Sequence, residues 1–132
     1  MPELISDQEL CDVTGIKPAY LKRLRYVGAH GDDPIPAAVY EYKKAVIFEK
    51  GPVRDWLIRL YTRGIQSFED RLKVATEVVD VTGGLDSNVH FGVMRSGKRY
   101  SFKEIDAARK SYRELPAAIS EDRTILENLK AL

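Results

Sequence analysis

Apolar positions in this chain recur at helical spacing in most places and alternate in two short stretches. Leu10 and Val13 form the apolar side of a first helix, with Ser6 as N-cap, Asp7 and Glu9 in the first turn and Thr14-Gly15 as its end. Pro18 suits the first turn of a second helix, whose buried stripe is Leu21 and Leu24, extended by Tyr20 and Val27, and which closes at Gly28. Ala29–Ala38, punctuated by Asp32-Asp33-Pro34 and Pro36, reads as a loop. Val39–Tyr42 and Ala45–Phe48 read as short strands of a hairpin with Lys43-Lys44 at its tip. Gly51-Pro52 opens another helix, with Val53, Trp56, Leu57, Leu60 and Tyr61 on one face and Arg54, Arg59 and Arg63 on the other.

Arg63-Gly64 and the following Ile65–Ser67 mark a joint. Phe68, Leu72, Ala75 and Val79 then describe an amphipathic helix ended by Thr82-Gly83-Gly84. Val89, Phe91 and Val93 alternate with His90, Gly92 and Met94, ahead of the turn signal Ser96-Gly97. If those two residues are the whole loop, Arg95 faces Lys98, Val93 faces Tyr100 and Phe91 faces Phe102, and the large apolar groups share one face. Ile105, Ala108, Tyr112 and Leu115 give a further helix, interrupted by Pro116. Ile125, Leu126, Leu129 and Leu132 give a last short one. The expected fold class is α+β and mainly helical. The expected domains are 1–64, a helix-turn-helix with a wing, and 65–132, a helix–hairpin–helix unit with a C-terminal helix.

Charge narrows the range of partners. Formal net charge is +1, and neither half is a basic arm: residues 1–65 carry ten basic and nine acidic side chains, residues 66–132 eleven of each. Any attraction to nucleic acid must come from a local patch, and the second helix offers one in Lys17, Lys22, Arg23 and Arg25. The single cysteine, Cys11, cannot form an internal disulfide, fits a reducing cytosol and reads as a small core residue. No apolar run has the length of a membrane span and no signal segment is visible, so no membrane partner is expected.

Catalytic chemistry is not expected. His30 and His90 are the only histidines, they read as surface residues, and neither lies near Cys11 in sequence. No spacing suits a metal, so no metal or other cofactor is expected. Gly83-Gly84 lacks the Lys-Ser/Thr of a phosphate loop and reads as a helix terminator. Asp32-Asp33, Glu69-Asp70 and Glu121-Asp122 are expected at loops or helix starts, where solvation or the helix dipole accounts for them.

Two resemblances bear on function. Ile5–Leu10, Val13–Ile16, Tyr20–Leu24, Gly28, Pro34-Ile35-Pro36, Val46–Phe48 and Asp55-Trp56-Leu57 together resemble the winged helix-turn-helix of the excisionase and MerR-type families, a fold shared by small-terminase DNA-binding domains of phages. That resemblance implies a second helix in the DNA major groove. Lys17, Tyr20, Lys22, Arg23 and Arg25 would then contact DNA, with Lys43 and Lys44 on phosphate. Asp32 and Asp33 stand where phosphate would pass, which argues the other way. Phe68–Val81, Thr82-Gly83-Gly84, Val89–Phe102 and Lys103–Leu115 resemble the phage head-completion proteins similar to lambda's protein W. Departures from that pattern are a longer connection at Leu85–Asn88 and Pro116. This second resemblance implies a non-enzymatic neck protein of the virion, assembled in the host cytoplasm. It would bind a portal ring after DNA packaging, with portal or neck proteins as partners and a homo-oligomeric ring as its own state. The alternative is a cytoplasmic, sequence-specific binder of double-stranded DNA: an excisionase, a transcription regulator or a small-terminase-like packaging subunit.

Overall fold

The computed structural model describes residues 2–27, 31–42, 45–84, 92–93 and 99–132 of the 132-residue chain. Among them the fold is mainly helical, with a small antiparallel sheet and a short hairpin. The element order is β1 (Leu4–Ser6), α1 (Asp7–Thr14), α2 (Pro18–Val27), β2 (Tyr40–Tyr42), β3 (Ala45–Glu49), α3 (Lys50–Val81), β4 (Gly92–Val93), β5 (Arg99–Tyr100) and α4 (Phe102–Lys130). Two compact units divide it: 1–63 together with 123–132, and 64–122.

In the first unit the helix starts follow from capping. Ser6 Oγ accepts from the Glu9 backbone N–H at 3.1 Å, and Asp7 and Glu9 complement the positive end of α1. Gly15 ends α1 in the left-handed conformation (φ 85°), its N–H donating to the Cys11 carbonyl. The Thr14 hydroxyl secures the same turn: it donates to the Leu10 carbonyl at 2.6 Å and accepts from the Ile16 N–H at 3.3 Å.

The sheet order is β1-β3-β2, so β3 is central. Tyr42 pairs with Ala45, which leaves Lys43 and Lys44 as the connection, and these two lie outside the described residues. β1 is an element that periodicity did not reveal, because three residues are too few to show alternation. It pairs Ile5 with Phe48 across β3, and both side chains are buried. Leu10, Ile16, Leu21, Val46, Phe48, Val53, Trp56 and Leu57 form one core with Ile125 and Leu129. The stripe of α2 is narrower than expected. Tyr20 and Val27 are exposed, as is Val13 on α1, because Leu21 and Leu24 already fill the side of α2 that meets the core.

The helix break expected at Ile65–Ser67 is absent, although the two units divide between Arg63 and Gly64: α3 continues through Gly64 to Val81, with Ile65 buried. A single glycine costs a helix only about 1 kcal/mol, which burial on either side of it offsets. Pro116 likewise lies inside α4 rather than interrupting it. It removes one backbone donor and crowds the preceding turn, at about 3 kcal/mol, yet Leu115 and Ile119 beside it are both buried and hold the helix. The C-terminal residues from Arg123 onward therefore belong to the tail of a long helix and pack in the first unit, not in a 65–132 domain.

In the 64–122 unit Ala75 and Val78 pack with Tyr100, Ile105 and Ala108, and Tyr112 lies at the edge of this core. Gly83 and Gly84 both have positive φ after α3, as a terminator requires. The hairpin register differs from expectation: Gly92 pairs with Tyr100 and Val93 with Arg99, a shift of one residue. The expected pairing of Val93 with Tyr100 is therefore not made; Ser96-Gly97 and Phe91 lie outside the described residues. Phe102 is not a strand residue. Ser101 and Glu104 form a reciprocal capping box (Glu104 N–H to Ser101 Oγ 3.2 Å, Ser101 N–H to Glu104 Oε1 3.3 Å), which draws Phe102 into the first turn of α4, where it is exposed.

Leu129 is fully buried in the core that also holds Trp56, the chain's single tryptophan. Leu129→Ala is expected to destabilise the first unit by about 2–5 kcal/mol through lost burial and the cavity left behind. Urea denaturation followed by tryptophan fluorescence reads this directly. An unchanged midpoint would show that the tail of α4 does not complete that core.

Candidate nucleic-acid interface

α2 buries Leu21 and Leu24 and turns Ala19, Lys22, Arg23 and Tyr26 outward at the three-and-four spacing of one helical face. Lys17 is exposed just before the helix begins. Tyr20 is exposed along one flank and meets Tyr61 edge-on, with ring centroids 6.4 Å apart. The sequence-predicted residues Lys17, Tyr20, Lys22, Arg23 and Arg25 are thus brought together on or beside one helix. Lys43 and Lys44 are outside the described residues, as are His30 and His90.

Arg25 has a different setting from its neighbours. Its Nη2 meets Glu41 Oε1 of β2 at 2.8 Å, and its side chain is only 24% exposed against 59% for the glutamate. Between α1, α2 and the sheet lies an open cleft of about 640 Å³, whose lining includes Asp7, Asp12, Lys22, Arg25, Tyr26 and Glu41. Cys11 also borders it, but burial first, then the charges of Asp7 and Asp12, push its thiol above the ordinary range, which disfavours the nucleophilic thiolate.

Asp33, which sequence reasoning placed in the path of a phosphate, is tied down. Trp56 Nε1–H donates to the Asp33 carbonyl oxygen at 2.8 Å. Arg59 donates to both carboxylate oxygens at 3.1 Å, and Arg63 Nη1 lies 3.6 Å from Oδ2. A neutral donor thus satisfies the backbone while a two-pronged guanidinium neutralises the side chain. Spacing could not foretell this, although the helical interval between Trp56, Arg59 and Arg63 already put the three on neighbouring turns.

The result is a division among the basic residues of this unit. Arg25, Lys50, Arg54, Arg59 and Arg63 each pair with an acid, whereas Lys17, Lys22 and Arg23 around α2, and Lys130 at the end of α4, have no ion pair among the described residues.

The other acidic pairs sit differently from expectation. Glu69-Asp70 and Glu121-Asp122 lie inside α3 and α4 rather than at helix starts. The continuity of both helices across Gly64 and Pro116 is the reason. Asp122 is raised above the ordinary carboxyl range by partial burial and then by the neighbouring Glu121 charge. Among the described residues no three of His, Cys, Asp and Glu converge as a metal-binding group, and no helix is long and apolar enough to cross a membrane. No protein-family model, curated protein or solved structure matches the chain.

The Asp33 anchor should carry a pH signature. Hydrogen bonds from Arg59 above all, with the charges of Arg59 and Arg63, hold this carboxyl below its ordinary value of 3.8. A group with a depressed folded-state pKa stabilises the fold fully above its unfolded pKa and loses that contribution as pH falls through the lower folded value. Thermal melts of wild type and Asp33→Asn are expected to differ by a constant amount between about pH 5 and 7, with the gap closing below about pH 4. A gap independent of pH would mean that the carboxylate is not what anchors the loop.

Proposed function

We propose that the chain is a non-enzymatic, sequence-specific DNA-binding protein whose first unit is a winged helix-turn-helix. In this reading α1 and α2 are the two helices, Gly15 the turn, and β2–β3 the wing. The second helix enters the major groove with Ala19, Lys22, Arg23 and Tyr26 leading, and Lys17 meets the backbone. The observation that carries the reading is the charge division just described. In a unit of nearly balanced charge, Lys17, Lys22 and Arg23 are left without an ion pair on or beside α2, and elsewhere among the described residues of the unit so is Lys130 at the end of α4. A surface laid out only for solubility has no reason to cluster three such cations around one short helix. The anchoring of Asp33 by Arg59 and Arg63 further supports the reading, because it neutralises one of the two acids expected beside the phosphate path. An excisionase, a transcription regulator and a small-terminase-like packaging subunit all fit this description.

A second reading is a head-completion or neck protein of a tailed phage, seated on a portal ring as a homo-oligomer. The element order of the 64–122 unit favours it: helix, short antiparallel hairpin, helix. On that reading the first unit is a packing module, and α2 meets protein rather than nucleic acid.

Fluorescence anisotropy on duplex DNA across a salt series separates the two. Under the DNA-binding reading, wild-type affinity falls steeply with salt, and the Lys22→Ala/Arg23→Ala variant loses about 1–3 kcal/mol for each base contact removed. An absence of binding at low salt, together with co-assembly onto a purified portal ring, would establish the neck reading instead.

A further inference from the structure

Glu41 stands on the exposed outer strand beside α2. In the β2–β3 register it stands opposite Val46, and Val46 is buried. Residues directly opposite in an antiparallel pair share a sheet face, so Glu41 lies on the face turned toward the core, on the outer strand, at the flank of α2. There it takes the Arg25 guanidinium at 2.8 Å. Lys22, one turn earlier on the same side of α2, lines the same cleft and has no ion pair among the described residues. A carboxylate and a phosphate offer a guanidinium the same partner, two anionic oxygens in one plane.

We infer that Glu41 is an internal substitute for a DNA phosphate, and that it tunes the interface by withholding Arg25 from the duplex backbone. The inference rests on the DNA-binding reading and adds to it the residue that limits non-specific affinity. Sequence-independent affinity grows with the number of phosphates neutralised. With Arg25 engaged on the wing strand, Lys17, Lys22 and Arg23 remain to meet the duplex. Binding to arbitrary sequence stays weak, and contacts to base edges account for a larger share of the total. The same pairing gives a physical reason for the near-neutral charge of the unit: Glu41 is placed to cancel one cation of α2. Because exposed ion pairs contribute little to stability, the pair can be broken by substitution without unfolding the chain.

The test uses the full chain and a short mixed-sequence duplex, with affinity measured by anisotropy from about 50 to 200 mM salt. Glu41→Gln is expected to bind several-fold more tightly at the low end, with a log–log salt slope steeper by about one. The double variant Glu41→Gln/Arg25→Gln is expected to return to the wild-type slope. A Glu41→Gln slope equal to that of wild type overturns the inference. So does a gain that survives in the double variant, since Glu41 would then act only as a repelling charge. Circular dichroism melts establish that each variant is folded before it is compared. If neither wild type nor Glu41→Gln binds at low salt, the DNA-binding reading itself fails and the inference with it. Binding that needs Lys22 and Arg23 but ignores Glu41 removes the inference alone.

Discussion

The first unit depends on one face of α3, the turns that carry Val53, Trp56, Leu57 and Tyr61 into its core. Trp56 brings the largest apolar surface of the four, but also an indole N–H that burial would leave unsatisfied at a cost of about 1–3 kcal/mol. The Asp33 carbonyl supplies the acceptor. That single bond fixes where the loop after α2 crosses α3. It brings the Asp33 side chain onto Arg59 and Arg63, which lie one and two turns further along. A packing requirement at Trp56 thereby decides the electrostatics of a surface loop.

The charge pattern on α2 follows from the same geometry. Arg54, Arg59 and Arg63 of α3 find their acids in the loop and on α3 itself, and Lys50 finds Glu3 through the pairing of β1 with β3. Arg25 finds Glu41 because the strand register puts that residue opposite Val46, on the sheet face beside α2. Lys17, Lys22 and Arg23 are left over, on or beside a helix held from below by Leu21 and Leu24. The proposed DNA surface is thus defined as much by the ion pairs made elsewhere as by its own residues. A count of basic side chains along the sequence gives Arg25 the same standing as Lys22, and the fold separates them.

The turn between α1 and α2 receives support from far along the chain. Asn128 Nδ2 donates to the Thr14 carbonyl at 3.1 Å, and Ile125 lies within van der Waals reach of the space beside Gly15. Gly15 therefore answers two demands at once, a positive φ and a close neighbour on α4. The last turns of α4 close the core under the helix pair, and a shift in α4 would alter the stability of the turn that aims α2.

Sequence alone determined the local elements wherever a strong physical signal was complete within a few residues. The Ser6 cap, the Gly15 turn, the α2 stripe at Leu21 and Leu24, the strands around Val46–Phe48 and the Trp56 face are all of that kind. It also placed Lys17, Lys22 and Arg23 together, since helical spacing is a local property. The strand β1, the continuity of α3 and α4, the hairpin register and the partners of Asp33 and Arg25 were decided by tertiary structure. Gly64 and Pro116 carry local penalties of about 1–3 kcal/mol, and only burial of distant neighbours outweighs them. The capping box at Ser101 and Glu104 was legible as a Ser-x-x-Glu spacing, yet it competed with a strand pattern that ran into Phe102. The return of Ile125 and Leu129 to the first unit joins positions more than a hundred residues apart, and no periodicity encodes which of two cores an amphipathic helix will complete.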